Sequence, residues 1–212
     1  MSPTLYYVYD PLCGWCYGAT GALNALAEPS EIRLQILPSG LFSGPGARAM
    51  DASFAAYAWS NDQRIERLTG QGFSEQYRNK VLSDHLQRFD SGPATSALSA
   101  VASEAPEREV EALKAMQKAR YIDGQDITQT ATLQNILTLL GLNAAAARLP
   151  RPDSALLEAN QQRVNRAQAL LQAFDARGVP TFILEREGQR QLLNAGSAFS
   201  HPQAFVKQLL AA

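Results

Sequence analysis

The sequence predicts an α/β protein whose α/β domain is interrupted by a helical insertion. Strand-like patterns lie near the two ends of the 212-residue chain, whereas helical patterns fill the long stretch between them. The two outer parts, residues 1–40 and 153–212, sum to roughly 100 residues, a usual size for one domain. We therefore expect them to form one domain in the order β-α-β, then α-β-β-α, with residues 41–152 as an all-helical insertion subdomain.

The first outer part predicts a β-α-β unit. Residues 5–9 form a continuous apolar run, which suits a strand buried on both faces. Small and apolar side chains then recur at helical spacing from about residue 14 to residue 27, and Pro29 is expected to end this helix. Apolar and polar residues alternate over residues 32–36, which predicts a second strand with one face turned inward.

The insertion begins with a glycine-rich loop over residues 39–50. Neither of the two phosphate-binding glycine fingerprints is present in it, so the loop is predicted to be a hinge or crossover. No strand-like alternation follows, and the predicted helices span residues 52–68, 74–82, 93–104, 107–121 and 130–140.

The second outer part opens with a long helix from about residue 153 to residue 176. Asp153 or Ser154 is its expected N-terminal cap. The helical spacing of apolar side chains predicts that its buried stripe consists of Leu157, Val164, Ala167, Leu171 and Phe174.

A hairpin and a last helix complete the predicted domain. Residues 180–184 and 191–193 have strand-like sequences, and Glu187-Gly188 is the expected turn between them. Ser200 is predicted to cap the final helix, whose inward-facing residues are expected to be Phe205, Val206, Leu209 and Leu210.

Charge and hydropathy exclude several classes of partner. Nineteen Lys and Arg residues against twenty Asp and Glu residues give a formal net charge of −1, so we expect no nucleic-acid partner. No apolar run approaches the roughly 18–20 residues that span a bilayer, so no membrane partner is expected. Because no export signal precedes the first predicted strand, the expected compartment is the cytoplasm, where thiols are kept reduced.

The two cysteines, Cys13 and Cys16, lie in one tetrapeptide. A disulfide between them would close too short a loop to stabilise the fold much. A zinc site would need two more ligands, and His85 and His201 have no ligand spacing. We therefore expect no metal and no bound cofactor, and we interpret the two cysteines as a redox pair.

The position of the pair at the start of a helix predicts a role for each thiol. Cys13 would lie at the helix N-terminus, where the macrodipole favours a thiolate, so it is expected to attack the substrate disulfide. Cys16, one turn further on and buried, would resolve the mixed disulfide. Trp15 between them is predicted to be exposed and to contact substrate. Asp10 is either a proton relay for Cys16 or an ordinary turn residue.

The first inserted helix carries three aromatic residues, Phe54, Tyr57 and Trp59. Aromatic side chains at this spacing are more often part of a core than of a binding site. We predict that they are core residues, with a substrate groove lined by one of them as the alternative.

Two motifs together resemble the DsbA-like thiol–disulfide oxidoreductases, and most of all their FrnE-type branch. They are the segments of residues 10–18, Asp-Pro-Leu-Cys-Gly-Trp-Cys-Tyr-Gly, and 177–182, Arg-Gly-Val-Pro-Thr-Phe. The resemblance implies a thioredoxin-like fold with a helical insertion and a redox-active Cys13–Cys16 pair. It also implies that Pro180 is a cis-proline beside the pair and that the backbone of Val179 contacts substrate. From the residues alone, a trans proline at a strand start is the alternative.

The dipeptide between the cysteines predicts the direction of electron flow. The exported oxidant of the resembled family has Pro-His there, and its histidine helps to stabilise the thiolate, whereas Gly14 and Trp15 carry no charge. We therefore expect a more reducing couple, as in a protein-disulfide reductase or isomerase. The expected substrate is a disulfide in a protein or a small molecule, and the expected reductant is a cellular thiol such as glutathione.

Two other functions remain open at this point. A glutathione-dependent transferase or isomerase of the kappa-class and hydroxychromene-carboxylate isomerase kind shares this architecture, although it usually has serine at the position of Cys13. A redox-sensing binding protein is the other alternative, with the helical subdomain as its binding surface. A sensor would react once, whereas an enzyme would turn over.

Overall fold

The computed structural model describes residues 2–26 and 32–211, and its centre is a four-stranded sheet. Strand β1 (Thr4–Tyr9) pairs in parallel with β2 (Arg33–Pro38) at one edge and antiparallel with β5 (Thr181–Arg186) on its other side. Strand β6 (Gln189–Leu192) pairs with β5 and forms the other edge. The order β2-β1-β5-β6 confirms that the two ends of the chain build one sheet.

The predicted helix after β1 is two helices. Helix α1 (Gly14–Gly18) and helix α2 (Thr20–Leu26) are separated at Ala19, whose N–H donates to the carbonyls of both Trp15 and Cys16. The short first helix carries the cysteine pair, and the second packs against the C-terminal part of the chain. Residue 27 and Pro29, the predicted end of this helix, lie outside the described residues.

The middle of the chain is mostly helical. It also contains 3₁₀ turns at 44–46 and 106–108 and a π-helical turn, Arg78–Leu82, that continues α4. Its helices are α3 (Ala52–Thr69), α4 (Glu75–Tyr77), α5 (Gly92–Glu104), α6 (Glu109–Tyr121), α7 (Thr130–Leu139) and α8 (Asn143–Arg148). Helix α8 was not predicted, although it consists largely of alanine, the best helix former.

The expectation of an all-helical insertion is wrong in one detail. Strands β3 (Arg48–Ala49) and β4 (Arg88–Phe89) pair antiparallel inside it. Two residues are too few for alternation of side chains to be visible in a sequence, which is why the pattern gave no sign of this ladder. The division of the chain at residues 40 and 153 stays a prediction.

Helix α9 (Ser154–Ala173) begins where it was predicted to begin, and the Asp153 carboxylate caps it by accepting the N–H of Leu156 at 2.7 Å. The predicted burial of Leu157 is wrong: its side chain is 54% exposed, whereas Leu156 is fully buried. Both leucines fit a helical stripe, and the packing of α9 against α5 and β2 selects the one that faces inward. Leu171 and Phe174, also predicted as core, are half-buried.

The C-terminal part follows the predicted hairpin and helix. Glu187 and Gly188 form the turn between β5 and β6, and both have positive φ, as a tight hairpin turn requires. The predicted cap is wrong: Ser200 is the last residue of an additional helix, α10 (Gly196–Ser200), where its hydroxyl donates to the Gly196 carbonyl at 3.3 Å, and α11 (Pro202–Ala211) follows. Phe205 of α11 packs on Phe182 of β5 with ring centroids 5.0 Å apart. Leu210 was predicted to face the core but is 51% exposed.

No helix in the described ranges 2–26 and 32–211 is both long enough and apolar enough to cross a membrane.

Candidate active site

The cysteine pair lies at the junction of β1 and α1. Cys13 has extended backbone geometry at the N-cap of α1, and its carbonyl accepts the N–H of Tyr17 at 3.1 Å. Both cysteines are free thiols, and they differ in access to solvent: Cys13 is 7% exposed and Cys16 is fully buried. Burial raises the pKa of the Cys16 thiol well above its usual value, and the neighbouring Cys13 raises it further.

The segment just before β5, although distant in sequence, contacts Cys13. The thiol of Cys13 donates to the carbonyl oxygen of Val179, with a Sγ to O distance of 3.6 Å. The Val179–Pro180 peptide bond is cis, and both residues are half-buried. The structure therefore brings four of the sequence-predicted site residues, the two cysteines, Val179 and Pro180, to one place.

Asp10 approaches Cys16 through its backbone and binds other residues with its side chain. Its N–H donates to Cys16 Sγ at 3.5 Å. Its carboxylate is fully buried and accepts from the N–H of Leu12 at 2.9 Å, the N–H of Phe42 at 3.1 Å and the hydroxyl of Ser91 at 2.8 Å. Burial raises the pKa of Asp10, and these three hydrogen bonds oppose the shift.

Trp15 is half-buried, so the prediction that it is exposed is only partly met. Its ring packs edge-to-face on Phe199 of α10, with centroids 5.3 Å apart. The guanidinium of Arg64 in α3 lies 5.6 Å from the indole centroid. Helix α10, which the sequence analysis did not predict, therefore covers part of this side chain.

A cavity of about 150 Å³ opens beside Cys13, between α1 and the helical insertion. The interpretation of the aromatic residues on α3 as core is wrong for Tyr57, which is 66% exposed, whereas Phe54 and Trp59 are half-buried and pack against the core. Phe54 and Tyr57 line the cavity, which was the alternative interpretation. Among its other lining residues are Cys13, Trp15, Asp62 and Tyr121.

A buried charged cluster lies against this cavity, and the sequence analysis missed it. Asp62 is 4% exposed and accepts a hydrogen bond from the Tyr77 hydroxyl at 3.1 Å. Burial raises the pKa of Asp62 to about 7, although Tyr77 and the charge of Arg120 oppose the shift. The fully buried Arg120 guanidinium lies 5.4 Å from the ring centroids of Tyr77 and Phe89. The sequence did contain a signal for this cluster. Asp62 on α3 and Arg120 on α6 are charged residues at inward-facing positions of their helices.

Tyr121 joins the helical insertion to the cysteine turn. Its hydroxyl is buried and donates to the carbonyl of Leu12, the residue before Cys13, at 2.8 Å. Replacing Tyr121 by phenylalanine would leave this carbonyl without its partner, so the free energy of unfolding should fall by about 1–3 kcal/mol. Urea denaturation measures the loss.

The control for this substitution is Tyr57→Phe, because the Tyr57 side chain is largely exposed. It should leave the free energy of unfolding unchanged within about 0.5 kcal/mol. Equal effects of the two substitutions would contradict the role given to the Tyr121 hydroxyl.

No group of three or more histidine, cysteine, aspartate or glutamate side chains in the described part of the chain could hold a metal ion. The chemistry that the site offers is that of the two thiols. A CxxC pair at the start of a helix, with the Val179–Pro180 segment against its first sulfur, is typical of the class of thioredoxin-fold thiol–disulfide oxidoreductases.

Comparison with known proteins identifies the family within this class. The model of the DSBA-like thioredoxin domain matches residues 4–205, and the chain belongs to this family. The predicted resemblance, the thioredoxin-like fold and the function as a thiol–disulfide oxidoreductase, an enzyme, are confirmed. No curated protein sequence matches the chain significantly.

Solved structures agree with this membership. The structure is similar to that of the cytosolic disulfide reductase DsbM from Pseudomonas aeruginosa, with 32% identity, a TM-score of 0.87 and coverage of 98% of both chains. The same protein solved with GSH gives 30% identity, a TM-score of 0.86 and coverage of 99% of this chain and 100% of that one. A candidate protein disulfide isomerase from Nitrosomonas europaea shares the fold, at 24% identity, a TM-score of 0.79 and coverage of 100% and 97%.

Proposed function

We propose that the protein is a cytoplasmic disulfide reductase in which Cys13 attacks the substrate disulfide, Cys16 resolves the mixed disulfide, and glutathione restores the dithiol. The similarity to DsbM, a cytosolic disulfide reductase also solved with GSH, supports the direction, the compartment and the reductant. The observation that carries the assignment of roles is the difference between the two sulfurs.

The two thiols have unequal surroundings. Cys13 borders a cavity that opens to solvent, and it lies at the N-terminus of α1, where the helix dipole favours a negative sulfur. Cys16 is fully buried, and its pKa is raised by that burial. An external disulfide can therefore reach Cys13 but not Cys16, and Cys16 can react only with a sulfur already bonded to Cys13.

The reaction consists of two exchanges. The Cys13 thiolate forms a bond to one sulfur of the substrate disulfide, and the other sulfur leaves as a thiolate that takes up a proton. Cys16 then loses its proton and attacks Cys13 Sγ, which releases the second substrate thiol and leaves a Cys13–Cys16 disulfide. The substrate gains two electrons and two protons. Two glutathione molecules return the pair to the dithiol and become glutathione disulfide.

Val179, Pro180 and Trp15 are proposed to contact the substrate. The Val179 carbonyl lies within hydrogen-bond distance of Cys13 Sγ, so a peptide bonded to that sulfur would run along the Val179–Pro180 segment. Trp15 lies two residues after Cys13 and forms part of the cavity wall. A substrate side chain next to the disulfide would thus meet an indole ring and the apolar cavity.

Asp10 is proposed as the proton relay for Cys16. Its N–H already contacts Cys16 Sγ, and its buried carboxyl has a raised pKa, which allows it to hold a proton at a higher pH than an exposed aspartate. Its negative charge also raises the pKa of Cys16. The resolving thiol would therefore give up its proton more readily when Asp10 takes one.

Trapping the mixed disulfide tests the proposed roles. A Cys16→Ser variant treated with glutathione disulfide should keep one glutathionyl group on Cys13, because no second thiol can release it. Intact-mass spectrometry and peptide mapping measure the adduct. The matched control is Cys13→Ser, whose remaining thiol is buried and should stay unmodified. An adduct on Cys16 of the control, or none on Cys13 of the first variant, would contradict the roles proposed for the two cysteines.

A further inference from the structure

We propose that Asp62 keeps the cysteine couple reducing, because its carboxylate stands at the start of α1 and disfavours the thiolate form of Cys13. This inference rests on the proposed function, in which Cys13 is the attacking thiol. Asp62 belongs to the helical insertion, and it would act on Cys13 through its charge, without contacting the substrate.

The contact with α1 places the carboxylate next to the pair. A Cβ built on Gly14 would lie only 2.4 Å from Asp62 Oδ1 and 3.2 Å from Ile65 Cδ1. The carboxylate therefore packs directly on the Cα of Gly14, the residue that follows Cys13. Any larger residue at position 14 would displace it, so glycine at this position is required for the carboxylate to approach the helix.

The two carboxylate oxygens of Asp62 have different surroundings. The Tyr77 hydroxyl donates to Oδ2, whereas Oδ1 has no hydrogen-bond partner among the described residues. Asp62 carries the only carboxyl group in the described lining of the cavity beside Cys13. Its free oxygen thus lies on the side of Gly14 and the cavity, where no donor neutralises it.

The charged and titratable groups around Asp62 come from three elements. Cys13 precedes α1, Tyr77 belongs to α4, and Arg120 and Tyr121 belong to α6. Arg120 attracts a negative Asp62, but its guanidinium lies among the rings of Tyr77, Phe89 and Tyr121 and forms no ion pair with it within 4.0 Å. Asp62 and a Cys13 thiolate would be two negative groups at one end of a short helix, and like charges disfavour each other's ionised forms.

This repulsion affects the redox equilibrium in one direction. A thiolate exists only in the reduced protein, so any group that disfavours it makes the disulfide relatively more favourable. A couple with that property gives up electrons more readily. Because the pKa of Asp62 is raised to about 7, the carboxylate exerts this effect above neutral pH and loses it as the pH falls.

The experiment compares Asp62→Asn with Glu66→Gln, which removes an exposed carboxylate one turn further along α3. The first readout is the thiolate fraction of Cys13, followed by absorbance at 240 nm between pH 5.5 and 9. The second is the ratio of dithiol to disulfide in glutathione buffers at pH 7.5. Asp62→Asn should raise the thiolate fraction and shift the ratio toward the dithiol by about twofold or more, because only the ionised fraction of Cys13 is repelled by the carboxylate. Glu66→Gln should match the native protein.

The pH dependence separates a charge effect from a change of packing. In both readouts, the difference between Asp62→Asn and the native protein should be large at pH 8. It should be small at pH 5.5, because Asp62 of the native protein is protonated there and carries no charge. Gly14→Ala is a second variant, because its methyl group would displace Oδ1, and it should shift the ratio in the same direction as Asp62→Asn.

The inference is overturned if Asp62→Asn has the thiolate fraction and redox ratio of the native protein, or if either changes in the opposite direction. In that case the proposed function still stands, provided that the native protein exchanges with glutathione. If the native protein does not exchange, the proposed function fails, and the absorbance at 240 nm still tests Asp62 by itself.

Discussion

Replacement of Cys13 by serine should lower the turnover of a disulfide substrate at least about 1000-fold, because a hydroxyl is not ionised near neutral pH and cannot attack a disulfide. The remaining thiol, Cys16, is fully buried and has a raised pKa, so it cannot replace the lost nucleophile. Reduction of a small disulfide by glutathione, followed continuously with catalytic amounts of protein, measures the loss. The structure around position 13 should persist, because serine and cysteine have similar size.

This substitution also separates the oxidoreductase from the two alternatives that the sequence alone had left open. A glutathione-dependent transferase or isomerase would keep or gain activity with serine at position 13, and such a result would contradict the reductase assignment. A redox sensor would react once per molecule even in its native form. The matched control is Ser53→Ala on the exposed start of α3, which leaves both thiols in place and should turn over like the native protein.

Replacement of Asp62 by asparagine should make the folded protein more stable at pH 8 and leave it unchanged at pH 4. The folded-state pKa of Asp62, about 7, lies above the usual value of 3.8. The folded protein therefore holds a proton that the unfolded chain has already released, so stability falls as the pH rises between these values and the loss is complete above the higher one. Asparagine keeps the bond from Tyr77 and cannot ionise.

The expected gain at pH 8 is about 2–4 kcal/mol, from the shift of roughly three pKa units at 1.36 kcal/mol each, reduced for relaxation around the site. Urea denaturation at pH 4.5, 6.5 and 8.5 measures it as the difference between variant and native protein. Other buried carboxyls, such as Glu109, titrate equally in both proteins and cancel in this difference. A gain that does not depend on pH, or a loss at pH 8, would contradict the titration assigned to Asp62.

The sequence could predict those parts of the site that depend on local order. The spacing of Cys13 and Cys16 after a buried strand places both thiols on one helical turn, and the structure has them there. The strand and helix order near the two ends also follows from patterns within each segment. What the sequence could not provide is any contact between segments that are distant in the chain, and Asp62 acts on α1 through such a contact.

The errors have the same physical origin. Leu156 and Leu157 both fit a helical stripe, and only the position of α5 and β2 decides which is buried. The interpretation of Asp10 was incomplete for the same reason. Its side chain makes the local turn bond to the N–H of Leu12, but it also accepts from Phe42 and Ser91, which no local pattern places beside it.

The three hydrogen bonds of the Asp10 carboxylate have a consequence for how the protein changes redox state. They tie the turn before Cys13 to the loop after β2 and to Ser91, the residue before α5, so one buried group fixes three segments at once. A turn clamped in this way offers the same backbone to the dithiol and to the disulfide. We therefore expect each catalytic cycle to rearrange sulfur–sulfur bonds and protons, while the backbone of this turn keeps its conformation.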